Sequence, residues 1–341
     1  MKKKTLLITF GILLVLAASG AVIAYTCILN RPLQIENNTF IYIDNDDNID
    51  SVYYKLEKEL QASSTTGFRL LASYSHYADH IHTGAYRFGP QERTWHIFKR
   101  LQAGVQTPVK LTIPSVRTIG KLCKTVSRQI MADSADIARL LNDSTYCATL
   151  GYNAYTLPAL FIPNTYEVYW NMDANGFITR MQKEHKRFWN EKRMNQAKAI
   201  GLTPTEVSTL ASIVEEETAN NAEKPVVAGL YINRLHRNML LQADPTVKFG
   251  LQAFDLRRIL NKHLESDSPY NTYKHAGLPP GPIRIPSIQG LESVLNYTHH
   301  DYLYMCAKED FSGTHNFART LNQHLANARR YQQALNQKNI R

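Results

Sequence analysis

The chain has 341 residues, 44% hydrophobic and 20% charged: enough apolar material for a packed core, and too much for a disordered or collagen-like chain. Its net charge is +10, from 39 Lys and Arg against 29 Asp and Glu, which points to an anionic partner such as nucleic acid, a membrane surface or an acidic polymer. Four cysteines (Cys27, Cys123, Cys147, Cys306) are too few for a disulfide scaffold, and no C-x-x-C spacing indicates a zinc or redox motif.

Lys2, Lys3 and Lys4 open the chain, and no charge follows from Thr5 to Asn30. Within that stretch Leu6 to Tyr25 is almost wholly apolar, and about 20 such residues span the ~30 Å hydrocarbon core as a helix. The basic start predicts residues 1–5 in the cytoplasm, a single span over 6–25 and translocation of the rest. A cleaved signal peptide is the competing reading, with Ser19-Gly20-Ala21 as its small-residue site, but the apolar run is long for one. Cys27 as a lipidation site is disfavoured by Tyr25 and Thr26. All three readings place residues 31–341 outside the cytoplasm, which removes nucleic acid as the partner.

Phe40 to Ile43 reads as a short strand, Asp44 to Asp50 as a polar turn, and Val52, Leu56 and Leu60 recur at helical spacing. The acidic turn is not a calcium loop, because Ile49 stands where that loop needs Gly and Lys55 where it needs Glu. His76, His80 and His82 form the densest histidine group; on a helix His76 and His80 would share a face, but scattered surface histidines are commoner than a metal site, and none is assigned. Gly84 to Phe88 reads as a turn entering a strand, and Thr94 to Leu101 as an amphipathic helix. The pattern gives a small α+β module ending near Pro114. Further on, Phe161 to Tyr166 is a Pro-broken aromatic loop, and Ile178 to Ala199 reads as one long helix with the apolar stripe Phe177, Met181, His185, Phe188 and Trp189.

The segment from Thr203 carries the chemistry. Thr203 is an N-cap, Pro204 fits the first helical position and Glu206 completes a capping box. Val207, Leu210, Ala211, Ile213 and Val214 define one buried direction, and Glu215-Glu216-Glu217 follows. On a helical wheel Glu216 lies roughly 150° from that direction, Glu215 roughly 110° and Glu217 roughly 50°. Glu217 is therefore expected to point inward. A carboxyl desolvated by apolar neighbours keeps its proton near neutral pH and serves as a general acid. Next come a helix over Val226 to Leu235 with Asn233-Arg234 near its end, and Leu241 to Thr246 with Asp244 as N-cap and Pro245 first in a helix. Tyr270-Asn271-Thr272-Tyr273 and Gly277 to Pro282 are loops rich in aromatics, amides, Pro and Gly. Aromatic faces stack on sugar rings, and amides and carboxylates bond their hydroxyls. Ser287 caps a further helix, Tyr302 to Met305 reads as a strand and Gly313 to Phe317 as a polar turn.

These motifs, in this order, resemble the YceG-like endolytic murein transglycosylase family. The likeness rests on Ala211 to Thr218, Ile232 to Leu235, Leu241 to Thr246, Tyr270 to Tyr273 and Gly277 to Ile283, with His315 and Phe317 as the family's His-x-Phe. Gly84 to Phe88 is similar to a motif of the family's LysM-like module. The resemblance implies an α+β protein: a single N-terminal transmembrane helix, a LysM-like membrane-proximal module over 31–114 and a larger mixed α/β catalytic domain over 115–341. It also implies cleavage of the MurNAc–GlcNAc bond of peptidoglycan, with Glu217 as acid and then base and the MurNAc C6 hydroxyl closing a 1,6-anhydro ring without water. No metal or cofactor is implied. Glu215 takes the place of a supporting acid, and Asn233, Arg234, Gln242, Asp244, Thr246, Tyr270, Asn271, Thr272, Tyr273 and His315 are candidates for supporting the site or binding substrate. The expected setting is the extracytoplasmic face of the bacterial cytoplasmic membrane. The expected partners are glycan strands, the membrane and peptidoglycan synthases, with a role in ending glycan chains. The stretch Leu157 to Tyr166 departs from the family pattern: Pro158, Ala159 and Asn164 replace its Glu, Gly and Asp. Two rivals stand: a muramidase that uses water, with Asp244 or Asp255 as second carboxylate, and a non-catalytic peptidoglycan-binding scaffold. After Asp310 no acidic residue occurs, while Arg319, Arg329, Arg330, Lys338 and Arg341 follow, a charge suited to anionic wall polymer or lipid headgroups.

Overall fold

The computed structural model describes residues 2–338 except Gln34, Glu36, Ser63 and Arg257. The side chains of Lys2, Lys3, Thr5, Leu6, Cys27 and Ile28 also lie outside the description, so the Cys27 lipidation reading falls outside it, as does Arg341 of the basic C-terminus. The chain divides into two compact units: residues 1–111 with Glu167–Met172, and Thr112–Tyr166 with Asp173–Arg341.

The first unit begins with helix α1 (Lys2–Ala24). Its Leu7–Ala24 stretch has a mean hydropathy of 2.5 and none of it is buried. β1 (Thr39–Ile43) pairs antiparallel with β2 (Gly84–Phe88), in the register Thr39 to Phe88 and Ile43 to Gly84. Between them lie α2 (Ile49–Tyr54), whose N-terminus is closed by a reciprocal Asn48–Ser51 capping box, and α3 (Thr66–Tyr74). Val52, Leu56 and Leu60 are all buried, and Phe68, Tyr77 and Phe98 meet edge to face beside them. The Lys55 ammonium closes the acidic turn by pairing with Asp47 and donating to the Tyr42 carbonyl. No helix carries His76 and His80 on one face: His76 is left-handed at φ 53°, and Tyr77–Asp79 is one tight turn. α4 (Thr94–Gln102) and the start of β3 (Val109–Thr112) complete this unit.

In the second unit α5 (Ile119–Val126), α6 (Ser134–Asn142) and α7 (Ser144–Thr149) are capped in turn by Thr118, Asp133 and Asp143. β4 (Thr165–Val168), whose last two residues belong to the first unit, forms a two-stranded sheet with β3. The expected single helix over 178–199 is two helices, α8 (Ala174–Phe188) and α9 (Glu191–Ile200). They part because the Asn190 side chain accepts from the Arg193 amide and starts a new helix, while Trp189 turns into the core. α10 (Pro204–Glu217) carries the Thr203–Glu206 capping box and is buried over Val207–Val214. Around it pack α11 (Lys224–His236), α12 (Asp244–Gly250) and, beyond the short α13 (Asn261–Leu264), α14 (Ile288–Leu295). β5 (Tyr304–Ala307) pairs antiparallel with β6 (His315–Ala318), and α15 (Leu321–Gln337) closes the fold. The expected turn at 313–317 is thus mostly strand. The reversal lies earlier, where Phe311 and Gly313 take positive φ and the Lys308 amide bonds the Thr314 carbonyl.

Candidate active site

Three adjacent glutamates end α10, and each meets a different environment. Glu215 accepts the Ser287 amide at 2.7 Å on Oε2 and lies 3.9 Å from the buried Lys224 ammonium on Oε1, so it helps cap α14 and ties it to α10. A Cβ at Gly290 would stand 2.8 Å from that same oxygen, so any larger residue there would displace the Glu215 carboxylate. Glu216 departs from the wheel, which turned it toward solvent. Its side chain is 10% exposed, because Arg117 grips it through Nε and Nη2 at 2.7 and 2.6 Å and Arg284 reaches Oε1 at 2.9 Å.

Glu217 accepts a 2.8 Å hydrogen bond on Oε1 from the Tyr231 hydroxyl, and no other hydrogen bond reaches its carboxyl among the described residues. The residue keeps partial solvent access. Its carboxyl is nonetheless well enough enclosed that desolvation pushes its pKa from the ordinary 4.5 up to about 7. The Tyr231 hydrogen bond opposes this, the Asp244 charge adds to it, and Lys248 and Arg234 oppose it weakly. The C-terminal end of the helix dipole disfavours the carboxylate as well. Tyr231 projects from α11, is buried, and holds its own proton well above the usual phenol range through desolvation and the neighbouring Glu217.

Asp244 is not the helix cap expected for it. Ala243 stands at that position, and the exposed Asp244 carboxylate accepts the Tyr273 hydroxyl at 2.6 Å. Desolvation and that bond push the Tyr273 phenol up, with smaller contributions from Asp244 and Glu217 charge. Gln242, left-handed at φ 50° with an exposed side chain, fixes its loop by donating its amide to the Thr272 carbonyl at 3.1 Å. Glu217, Tyr231, Asp244 and Tyr273 therefore form one electrostatic cluster with Arg234 and Lys248 at its edge.

The other candidates engage the fold itself. Asn233 donates to the His300 and Tyr302 carbonyls at 2.6 and 3.1 Å. The buried Arg234 reaches the Leu303 and Leu241 carbonyls at 2.6 and 2.8 Å. Thr246 and Thr272 bond each other at 2.9 Å, and Thr272 accepts the Ala243 amide. Asn271, fully buried, spans the Leu264 and Ser266 carbonyls at 2.9 and 2.7 Å. Tyr270 lies 4.7 Å from Phe249, ring to ring, and burial lifts its phenol to about 12. His315 donates its amide to Glu223 at 2.7 Å and sets Nδ1 3.0 Å from the same carboxylate, which also accepts from Thr218, the residue after α10.

Sequence reasoning missed Tyr231 as a partner of Glu217, and Arg117, Arg284 and Glu223 altogether. Tyr231 had a signal: a hydroxyl on a helix face otherwise apolar needs a buried partner. Arg117 had none, standing 99 residues from Glu216. A cavity of about 160 Å³ beside the cluster is lined by Arg117, Glu216, Lys248, Phe249 and Phe254 among others. A larger one, about 610 Å³, borders Thr205, Glu206 and Thr209, two to three helical turns from Glu217 and away from these groups.

Comparison with known proteins adds four findings. The YceG-like family model matches residues 41–330. Two Streptococcus pneumoniae proteins, of strains D39 and R6, each named endolytic murein transglycosylase, are 28% identical over 339 and 343 residues, 89% of this chain. The chain spans 61% of the length of those relatives. A Bacillus subtilis protein of the same name is 41% identical over 130 residues, 38% of this chain and 35% of that protein. A crystal structure of a YceG-like protein from Listeria monocytogenes superposes with a TM-score of 0.57 at 26% identity, covering 85% of this chain and 99% of that one.

Proposed function

The chain belongs to the YceG-like family, and from that premise we propose that it is an endolytic lytic transglycosylase that cleaves the MurNAc–GlcNAc bond of peptidoglycan. Glu217 is its single acid/base. One observation carries the reading: a carboxyl with its pKa near 7, anchored on Oε1 by Tyr231 and bonded by nothing else among the described residues. Such a group is protonated often enough at neutral pH to donate, and its conjugate base is strong enough to take a proton back.

In the proposed reaction Glu217 gives its proton to the glycosidic oxygen as the bond to MurNAc C1 breaks. The C6 hydroxyl of the same MurNAc then attacks C1 and returns its proton to Glu217. A 1,6-anhydro end and a free GlcNAc end result, no water is consumed, and the acid is regenerated. Asp244 and Tyr273, which share the electrostatic cluster of Glu217, and the exposed Gln242 are assigned to substrate binding. Glu215, Asn233, Arg234, Thr246, Tyr270, Asn271 and Thr272 make up the frame, since their polar atoms or rings are engaged within the fold. His315 orders the turn after α10 through Glu223. The muramidase alternative retains one supporting observation, the second carboxylate of Asp244 in the same cluster.

We further assign residues 6–25 as a single-pass anchor, 31–114 as a LysM-like module and 115–341 as the catalytic domain, facing away from the cytoplasm. The 2.5 mean hydropathy and full exposure of Leu7–Ala24 support the anchor. Action on nascent strands beside peptidoglycan synthases, ending their growth, is the role proposed for this setting. The test is digestion of purified sacculi: anhydro-ended fragments from the wild type and none from Glu217→Gln support the reading, and no release by the wild type overturns it.

A further inference from the structure

The cavity beside the glutamate cluster is built differently from a sugar platform. Its walls include Phe249 and Phe254, and its charged rim is Arg117 and Lys248 with Glu216. The one rim carboxylate is already held twice, by Arg117 and by Arg284. Arg117 spends Nε and Nη2 on that contact, and its Nη1 makes no hydrogen bond among the described residues. Its guanidinium carbon lies 5.6 Å from the Phe254 ring centre, which limits where the fork can swing. The Lys248 ammonium makes no hydrogen bond or ion pair among the described residues, and its charge acts on Glu217. Two cations with donors to spare thus border a space of about 160 Å³ with aromatic walls. That is room for a small anionic group and a few carbons.

We propose that this cavity is a subsite for a peptide-stem carboxylate of the glycan strand, held by Lys248 and Arg117 while the scissile bond lies at Glu217. The inference rests on the glycan-cleavage reading and adds a determinant to it. N-acetylated sugar rings joined to peptide by amide bonds carry no charge of their own, so the fixed anions of such a strand are on its stems. A carboxylate suits the Arg fork and the Lys point charge, and charge-assisted hydrogen bonds are the stronger class. The subsite would place a stem, and with it the ring that bears the stem, relative to the acid. It would favour uncapped strands over strands whose stem carboxylates are amidated.

Binding to the full-length Glu217→Gln protein in detergent micelles tests this without turnover. The probes are soluble glycan oligomers with free stem carboxylates and the same oligomers with those carboxylates converted to carboxamides. The expected result is about tenfold weaker binding of the amidated oligomer, about 1.4 kcal/mol. Adding Lys248→Gln or Arg117→Gln should shrink that preference to about twofold or less, and Lys248→Arg should keep it. Equal binding of the two oligomers, or a preference that survives both Gln variants, overturns the subsite. The catalytic reading fails separately, when the wild type forms no anhydro ends even though the charge preference is intact.

Discussion

Replacing Glu217 by Gln should make the protein more stable at neutral and alkaline pH while removing glycan cleavage. The folded pKa of Glu217 is raised from 4.5 to about 7. Between those values the folded state therefore holds a proton that the unfolded state has lost, and stability declines as pH rises through this window. Below pH 4.5 both states are protonated and the penalty is absent; above 7 it is complete. The distance from 4.5 to about 7 sets a ceiling of about 3 kcal/mol. The partial solvent access of the residue brings the expectation to about 2 kcal/mol. Gln is nearly isosteric, and its amide oxygen can still accept from Tyr231. The assay is urea unfolding of both proteins at pH 4, 6 and 8, followed by fluorescence; Trp189 sits in the same core, edge to face with Phe188 at 5.3 Å. Tyr231 and Tyr273, whose phenols the Glu217 charge helps to raise, stay protonated throughout this pH range, so the difference between the curves isolates position 217. The expected difference is near zero at pH 4 and about 2 kcal/mol in favour of the variant at pH 8. A pH-independent difference, or a variant less stable at pH 8, would refute a desolvated Glu217.

Further predictions follow from the neighbours of that carboxyl. Tyr231→Phe removes the hydrogen bond that lowers the Glu217 pKa. The alkaline limb of the pH–activity profile should move to higher pH, and the looser carboxyl should lower kcat roughly tenfold. Glu215→Ala should cost roughly 2–3 kcal/mol in urea unfolding, because it strips the Ser287 amide of its acceptor and the buried Lys224 of its nearest carboxylate. Asn271→Ala should cost a similar amount by losing the two bonds of a buried side chain to the Leu264 and Ser266 carbonyls, while the pH at which activity is half-maximal stays where it was.

Local signals in the chain carried over well. The Thr203–Glu206 box, the Ser287 cap and the apolar spacing of Val207 to Val214 are set by residues within one or two turns of one another, and the helices stand where those signals place them. The wheel turned Glu217 inward, and its carboxyl meets Tyr231 of α11. The same wheel sent Glu216 to solvent. It could not anticipate Arg117 and Arg284, which arrive from 99 and 68 residues away and cover that face. Long-range partners also decide the candidates chosen by residue type. Asn271, Arg234 and Thr246 are polar residues of the motifs, and their bonds run to backbone and side chains that only the folded chain brings near. The helix break at Trp189–Asn190 was hidden because the charged run on both sides is equally good helix, and only the capping role of Asn190 divides it. β6 was hidden because His315 to Ala318 is too short for alternation to show, and its partner strand supplies the bonds.

The claim on which the account rests is that one glutamate, without water, breaks the glycan. Mass spectrometry of the fragments released from purified sacculi tests it most directly. The account predicts 1,6-anhydro-MurNAc ends from the wild-type chain and no fragments from Glu217→Gln. Reducing ends one water heavier, or fragments released equally by the variant, would contradict it.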